Sequence, residues 1–294
     1  MTTTIGFIGL GAMGMPMARR LVRTGFSVRG FDPYAAENTA DGIIRVASAR
    51  EAASSVETLC VMVATPAQAE AALSGPDGAL ESLQDGTVVV IMATVGPEAA
   101  ESFDTLVRTR GALLVDAPVS GGVSRAADGQ LLIMASGPSP AIARAQPILD
   151  ALGSDVRPLG TRVGDAQRMK LVNQLLCGVH IAAAAEALAF ARSLGIDPAV
   201  AFDVVSSGAA ASFMLDDRGP RMVREEFDTP RSAVDIFVKD LGLVLDTARA
   251  TKFPLPLAST AHQMFMQASS AGFAREDDAA VIKIFPGIEV PKKR

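Results

Sequence analysis

IGFIGLGAMGMPMARRLV (residues 5–22) decides the fold. The apolar run Ile5–Ile8 reads as a strand, and it breaks directly into Gly9, Gly11 and Gly14 at G-x-G-x-x-G spacing before a helical stretch opens. In a dinucleotide-binding turn the three glycines serve different needs, namely a tight turn, close approach of backbone to pyrophosphate, and close packing of helix on strand. The amides of the turn and helix start, Ala12 and Met13 included, then face the phosphates with the favourable end of the helix dipole. Pro16 suits a first helical turn, where an N–H has no intrahelical partner. Asp32 ends the next strand in VRGFDPY, where a carboxylate accepts from a ribose diol and repels a 2′-phosphate. These residues predict NAD as cofactor, with Arg29 on the same strand able to soften the preference over NADP.

Outward from this stretch, β-rich runs alternate with Ala-rich helical segments to about residue 160. Strands are expected at Ile5–Ile8, Ser27–Phe31, Ile43–Val46, Thr58–Val63, Thr87–Ile91, Leu113–Val115, Leu131–Ala135 and Asp155–Pro158. Such alternation argues for βαβ units and a mostly parallel sheet covered by helices on both faces. After Gly164 only helical periodicity remains: through Arg192, then Pro198–Ser206, Ser232–Ala250, Leu255–Ser270 and Asp277–Phe285. The expected architecture is an α/β Rossmann-type dinucleotide-binding domain (residues 1–162) followed by an all-α substrate and dimerisation domain (163–294), joined by a long interdomain helix. The terminal PGIEVPKKR reads as a mobile tail.

The totals fit this division. With 294 residues the chain can build two cores. A net charge of −5 without a basic block argues against nucleic acid. Two cysteines, Cys60 and Cys177, lie in separate apolar segments and read as reduced core thiols, and two histidines leave a His-based metal site little to build from. No basic residue precedes the first apolar run, as a secretion signal would require. The apolar stretch Cys177–Ala191, interrupted by His180 and Glu186, is expected to fall short of a membrane span, so a cytoplasmic protein without membrane partners is expected.

Two further stretches carry chemistry. VDAPVSGGVSRAADGQLLIMASG places Ser120, Gly121 and Gly122 after a strand, where a hydroxyl and unhindered N–H groups form either an ordinary turn or an anion cradle. GDAQRMKLVNQLLCG (164–178) puts Lys170, Asn173 and Gln174 on one stripe of an otherwise apolar helix, since three and four residues is the helical neighbour spacing. Lys170 can snorkel to water there, or be held out of it for a purpose.

In order along the chain, GFIGLGAMGMPMARRL, DAPVSGG with ADGQL, and GDAQRMKLVNQ resemble the β-hydroxyacid dehydrogenase family, which includes 3-hydroxyisobutyrate dehydrogenase and tartronate semialdehyde reductase. The resemblance spans nearly the whole chain. It implies that Ser120, Gly121 and Gly122 hold a substrate carboxylate and that Lys170 is the general acid/base, with Asn173 and Gln174 orienting the substrate. It also implies that Thr94 in MATVGP lies near the nicotinamide ribose, that Lys239 in DIFVKDLG reaches the cofactor, and that Thr65 in TPAQ flanks the adenosine or pyrophosphate. Two departures stand out: Ala93 replaces the family's usual serine before Thr94, and Ala166 replaces a glycine ahead of the lysine, which should reduce backbone freedom there. The later stretches TPRSAVDIFVKDLGLVLDTARATKFPLPLAST and EDDAAVIKIF look most like the L-threonate dehydrogenase branch.

The implied reaction is oxidation of a small anionic hydroxy acid, L-threonate at C2. It needs a base within about 3 Å of the hydroxyl and with a pKa near working pH. A free lysine, at about 10.4, is too basic, and burial beside a positive nicotinamide ring would lower it. Tartronate semialdehyde or 3-hydroxyisobutyrate as substrate, a decarboxylating relative, and a non-catalytic dinucleotide-binding module are the alternatives, and Lys170 argues against the last. His180 is expected to be a packing histidine and Glu186 a bridge to a neighbouring helix, while Arg231, Ser232 and Asp235 could meet substrate or start a helix. A homodimer or homotetramer is expected.

Overall fold

A computed structural model describes residues 2–35 and 42–286. β1 (Thr4–Ile8) runs through the glycine turn into α1 (Gly14–Arg23), and β2 (Ser27–Phe31) lies parallel to β1, with Ile5 beside Val28. β3 (Ile44–Arg45) adds outside β2. After α2 (Ala49–Ala53), β4 (Thr58–Val61) takes the other side of β1. Then α3 (Pro66–Ser74), β5 (Val88–Ile91), α4 (Pro97–Arg108) and β6 (Leu113–Asp116) extend the sheet in parallel. β7 (Val119–Ser120), α5 (Gly122–Asp128), β8 (Leu131–Ser136), α6 (Ser139–Leu152) and β9 (Gly153–Gly160) complete it. The strand order is β3-β2-β1-β4-β5-β6-β8-β7, with β9 on β8.

Alternate side chains on the central strands serve two cores. Val88 and Val90 face one, with Met17 and Leu21 of α1 and Ile148 and Leu149 of α6. Val89 and Ile91 face the other, with Ala52 of α2, Leu73 of α3 and Phe103 of α4. Continuous apolar strands are therefore needed, because both faces of the sheet are covered. Each fully buried Ile or Phe here, such as Ile5 and Phe7, contributes about 1.5–3 kcal/mol of burial.

β3 and β4 are shorter than the expected Ile43–Val46 and Thr58–Val63. The chain leaves the sheet after Val61, where Gly9 packs on the Met62 carbonyl so tightly that a Cβ would sit 2.2 Å from its oxygen. β7 was not expected; its two residues pair antiparallel with β8, so no periodicity reveals it.

The chain divides into two compact units, Met1–Lys170 and Leu171–Arg294. α7 (Asp165–Ser193) is 29 residues long and begins in the first unit. The second unit continues with α8 (Pro198–Ser206), α9 (Phe213–Arg224), α10 (Val234–Ala250) and α11 (Pro256–Ala268), and ends in a 3-10 helix, Asp278–Ile284. Ile181, Ala185 and Leu188 of α7 join Leu241 of α10 and Phe265 of α11 in its core, where Phe237 stacks on Phe265 at 5.1 Å between ring centres. Contrary to the expectation for Cys177–Ala191, α7 is long and apolar enough to cross a membrane by length and composition. More than half of its most apolar window is nevertheless buried against protein.

α9 was also unforeseen, because Gly219 and Pro220 interrupt it. The glycine admits the ring of Phe202, which a Cβ would approach to 2.6 Å, and Ser212 caps the helix through the Leu215 N–H. Arg218 and Arg221 of α9 then hold the buried carboxylates of Asp278 and Asp277 at 2.9 Å, fixing the final 3-10 helix. From residue 287 the expected mobile tail lies outside the described residues.

Candidate active site

Because β1, β4, β5 and β6 are adjacent and parallel, the segments that follow them emerge at one edge of the sheet, where α/β folds hold ligands. The glycine turn leaves β1 there. Gly9 has φ +93°, and a Cβ on Gly14 would lie 1.9 Å from the Gly9 oxygen, so both positions demand glycine for packing of the chain on itself. Gly11 is different: a Cβ there would meet nothing within 4 Å, leaving its backbone open to a ligand. α1 carries no side-chain N-cap. A pyrophosphate therefore fits this turn, with Gly11 and the start of α1 as its cradle. Asp32 is anchored beside the turn: its carboxylate accepts the Leu10 N–H at 2.7 Å and the Tyr34 N–H at 2.8 Å. Arg29, a possible moderator of the cofactor preference, donates instead to the Ser54 carbonyl at 2.7 Å.

Thr65 follows β4 and caps α3. Its hydroxyl accepts the Gln68 N–H at 3.1 Å, and the Gln68 side chain accepts the Thr65 N–H in return. Thr94 is half-buried in the loop between β5 and α4. Ser120 ends β7, and Gly121 and Gly122 follow at φ +140° and +76°, values that only glycine adopts without strain. A Cβ on Gly122 would meet nothing within 4 Å, so the backbone there is open on that side.

Lys170 is 6% exposed, on the second turn of α7. The sequence reading missed what holds that helix start. Asp116, at the end of β6, is fully buried; its Oδ2 accepts the N–H groups of Gly164 (3.1 Å) and Gln167 (3.0 Å), and its Oδ1 accepts the Gln167 amide (2.8 Å). Ser136 of β8 accepts the Ala166 N–H at 3.0 Å. Burial outweighs these hydrogen bonds and pushes the Asp116 carboxyl up to about 6. The flexible position ahead of the lysine is Gly164, at φ +96°, whereas Ala166 lies within α7, so the missing glycine costs no freedom where it is needed. Ala93, in place of serine, uses its backbone carbonyl to accept from Gln167 at 3.1 Å.

In the second unit Asn173 is half-buried, and its amide donates to Gln174 at 2.8 Å and to the Cys177 sulfur at 3.3 Å. The Gln174 amide donates to Asp240, and Lys239 lies 2.7 Å from the other oxygen of that carboxylate. The cysteines differ: Cys60 is buried, its thiol pushed up to about 12 by desolvation, whereas Cys177 is half-buried. His180 is exposed, not packed, and Glu186 is exposed as well. Asp235 accepts from Ser269 at 2.6 Å, and the Arg231 backbone N–H donates to Asp277 at 2.9 Å.

A family model described as the NAD binding domain of 6-phosphogluconate dehydrogenase matches residues 4–160, and one described as NAD-binding of NADP-dependent 3-hydroxyisobutyrate dehydrogenase matches 164–285. The chain is 48% identical to the L-threonate dehydrogenase of Cupriavidus necator over 296 residues, covering 100% of this chain and 99% of that protein. It is 43% identical to the L-threonate dehydrogenase of Escherichia coli K12, covering 98% and 96%. A crystal structure of 3-hydroxyisobutyrate dehydrogenase from Salmonella typhimurium superposes with a TM-score of 0.91 at 45% identity, over 96% of this chain and 100% of that one.

Proposed function

Because the chain belongs to the 3-hydroxyisobutyrate dehydrogenase family and is a nicotinamide-dependent dehydrogenase, we propose that it oxidises L-threonate at C2 with NAD. The 48% identity with an L-threonate dehydrogenase along the whole of both chains carries the substrate reading. The cofactor, when bound, accepts the hydride; everything else falls to the protein. The N–H groups of Gly121 and Gly122 with the Ser120 hydroxyl take the substrate carboxylate. Lys170, almost wholly shielded from water, takes the proton of the C2 hydroxyl as the general base. In reduction the ammonium returns the proton. Asn173, three residues along the same helix, orients the substrate, while Gln174 supports it from Asp240. Asp32 favours the free ribose diol of NAD.

A rate panel with NAD and L-threonate, 3-hydroxyisobutyrate or a 3-hydroxybutyrate, with tartronate semialdehyde and NADH in the reverse direction, tests the substrate. L-Threonate is expected to lead, and a higher kcat/KM for 3-hydroxyisobutyrate overturns the choice. Lys170→Ala is expected to lower turnover about 10²–10⁴-fold with NADH affinity retained. Unchanged turnover removes Lys170 from proton transfer.

The homo-oligomer reading is supported by one face of α7. Val172, Leu176, Ala183, Ala187 and Phe190 of α7, with Leu194 directly after its end, recur at spacings of three, four and seven, all exposed, with His180 between them. We assign this stripe, about 33 Å long, to a second copy of the chain.

A further inference from the structure

The start of α7 is capped from a distance. Gly164 precedes the helix and has no side chain to offer, yet N–H groups here need acceptors. Asp116, 48 residues before Gly164, and Ser136, 30 residues before Ala166, supply them.

Gln167 then completes a closed node. Its oxygen accepts the N–H groups of Val95 (3.0 Å) and Gly96 (3.1 Å); its nitrogen donates to the Ala93 carbonyl (3.1 Å) and to Asp116 (2.8 Å). The side chain is fully buried, and both donors and both acceptor sites of the amide are used. Three of those four bonds bracket Thr94, gripping the backbone on either side of it. Lys170 stands three residues after Gln167, one turn along the same helix.

We propose that Gln167 is a positioning residue for the dehydrogenase reaction. Its amide locks the Thr94 loop to the first turn of the helix that carries Lys170, so that the cofactor-side loop and the proton-accepting amine keep one register. The inference rests on Lys170 being the general acid/base. A purely structural glutamine would stabilise the unit without regard to Lys170. A positioning one acts through the lysine, and misplacement of a reacting group by about 1 Å costs about 10²-fold.

A double-mutant cycle on the full-length enzyme separates these roles. kcat, KM and the pH profile of kcat/KM are measured with NAD and L-threonate for wild type, Gln167→Met, Lys170→Ala and the double variant, with NADH titration and circular dichroism confirming fold. Gln167→Met keeps the side-chain length and removes the amide. It is expected to lower kcat about 10–100-fold while KM for NAD moves less, but less than about 3-fold when Lys170 is already alanine, because residues acting as a unit are non-additive. An equal loss in both backgrounds, or no loss with Lys170 present, overturns the proposal and leaves the role of Lys170 standing. Full turnover in Lys170→Ala overturns the parent reading and this one with it. If Gln167→Met does not fold, Gln167→Asn, which keeps a buried amide but withdraws it by one methylene from Val95, Gly96 and Ala93, is carried through the same cycle with the same criteria.

Discussion

Gln174 donates to Asp240, and the other oxygen of that carboxylate lies 2.7 Å from Lys239. An amide read as substrate-facing and an ammonium read as cofactor-facing thus share one buried acid. Asp240 is 2% exposed, and the amide and the ammonium each engage one of its oxygens. Lys239→Met is expected to raise KM for NAD about 10-fold with a smaller change in kcat, the loss of one charge-assisted contact of about 1.5 kcal/mol. Asp240→Asn should reproduce part of that effect, because Lys239 loses its anchor, and should lower stability by about 1–3 kcal/mol in urea unfolding. NADH affinity unchanged in both variants would remove Lys239 from cofactor binding.

In the proposed reading Asp32 sets the cofactor preference by a similar economy. Its oxygens already accept from Leu10 and Tyr34, which aim the carboxylate, and each oxygen retains a second lone pair for a ribose hydroxyl. Arg29 already commits one guanidinium N–H to the Ser54 carbonyl. Wild-type kcat/KM should favour NAD over NADP by at least about 100-fold, roughly 2.7 kcal/mol. Asp32→Ser should narrow the ratio to about 10-fold or less, mostly by losing activity with NAD. A ratio that stays above 100 in the variant would move the source of discrimination elsewhere.

The parts that were legible in the sequence are those whose signal is local. The run around Gly9–Gly14 announced its strand, turn and helix because each glycine answers a constraint within a few residues. Parallel strands such as Val88–Ile91 showed as unbroken apolar runs because both faces are covered. What stayed hidden depends on distant partners. β7 is defined by its pairing with β8, and α9 accommodates Gly219 where the Phe202 ring packs against it. Asp116 and Gln167 are 51 residues apart, and nothing near either announces the other. One faint signal was available: a helix beginning after Gly164 lacks a capping side chain at its own N-terminus, so its N–H groups had to be met from elsewhere.

Asp116 gives that node a pH signature. Burial lifts its carboxyl from 3.8 to about 6 in the folded chain. Between those values the folded state holds a proton that the unfolded state has released, so stability falls as pH rises through this window. The sign is the reverse of the usual ion-paired aspartate. The separation corresponds to about 3 kcal/mol. Urea unfolding of wild type and Asp116→Asn from pH 7 to pH 4 should show wild type gaining up to about that much on the variant as the solution is acidified. The comparison cancels the titration of Asp278, which burial also raises. Parallel pH curves for the two proteins would mean that Asp116 keeps its charge when folded at both ends of the range.

The exposed stripe on α7 makes the remaining prediction. Phe190 is 61% exposed and Leu194 59%, on the same side as Val172 and Leu176, whereas Ile181, Ala185 and Leu188 on the opposite side are buried in the helical core. A 3.6-residue helix with apolar residues on both faces needs two partners, and the fold supplies one. The small residues Ala183 and Ala187 at the middle of the stripe allow another helix to approach closely, with Phe190 as an aromatic anchor beside them. Light scattering coupled to size exclusion should therefore give a mass of at least twice 30.4 kDa for the wild type. Ala187→Glu places a carboxylate at the centre of the stripe, where a desolvated charge without a partner costs several kcal/mol. This variant should shift the mass toward the monomer at micromolar protein while circular dichroism remains unchanged, since position 187 is exposed and makes no part of the helical core. A wild-type protein that runs as a monomer would overturn the oligomer itself, and a variant that keeps an oligomeric wild-type mass would assign the contact to another surface.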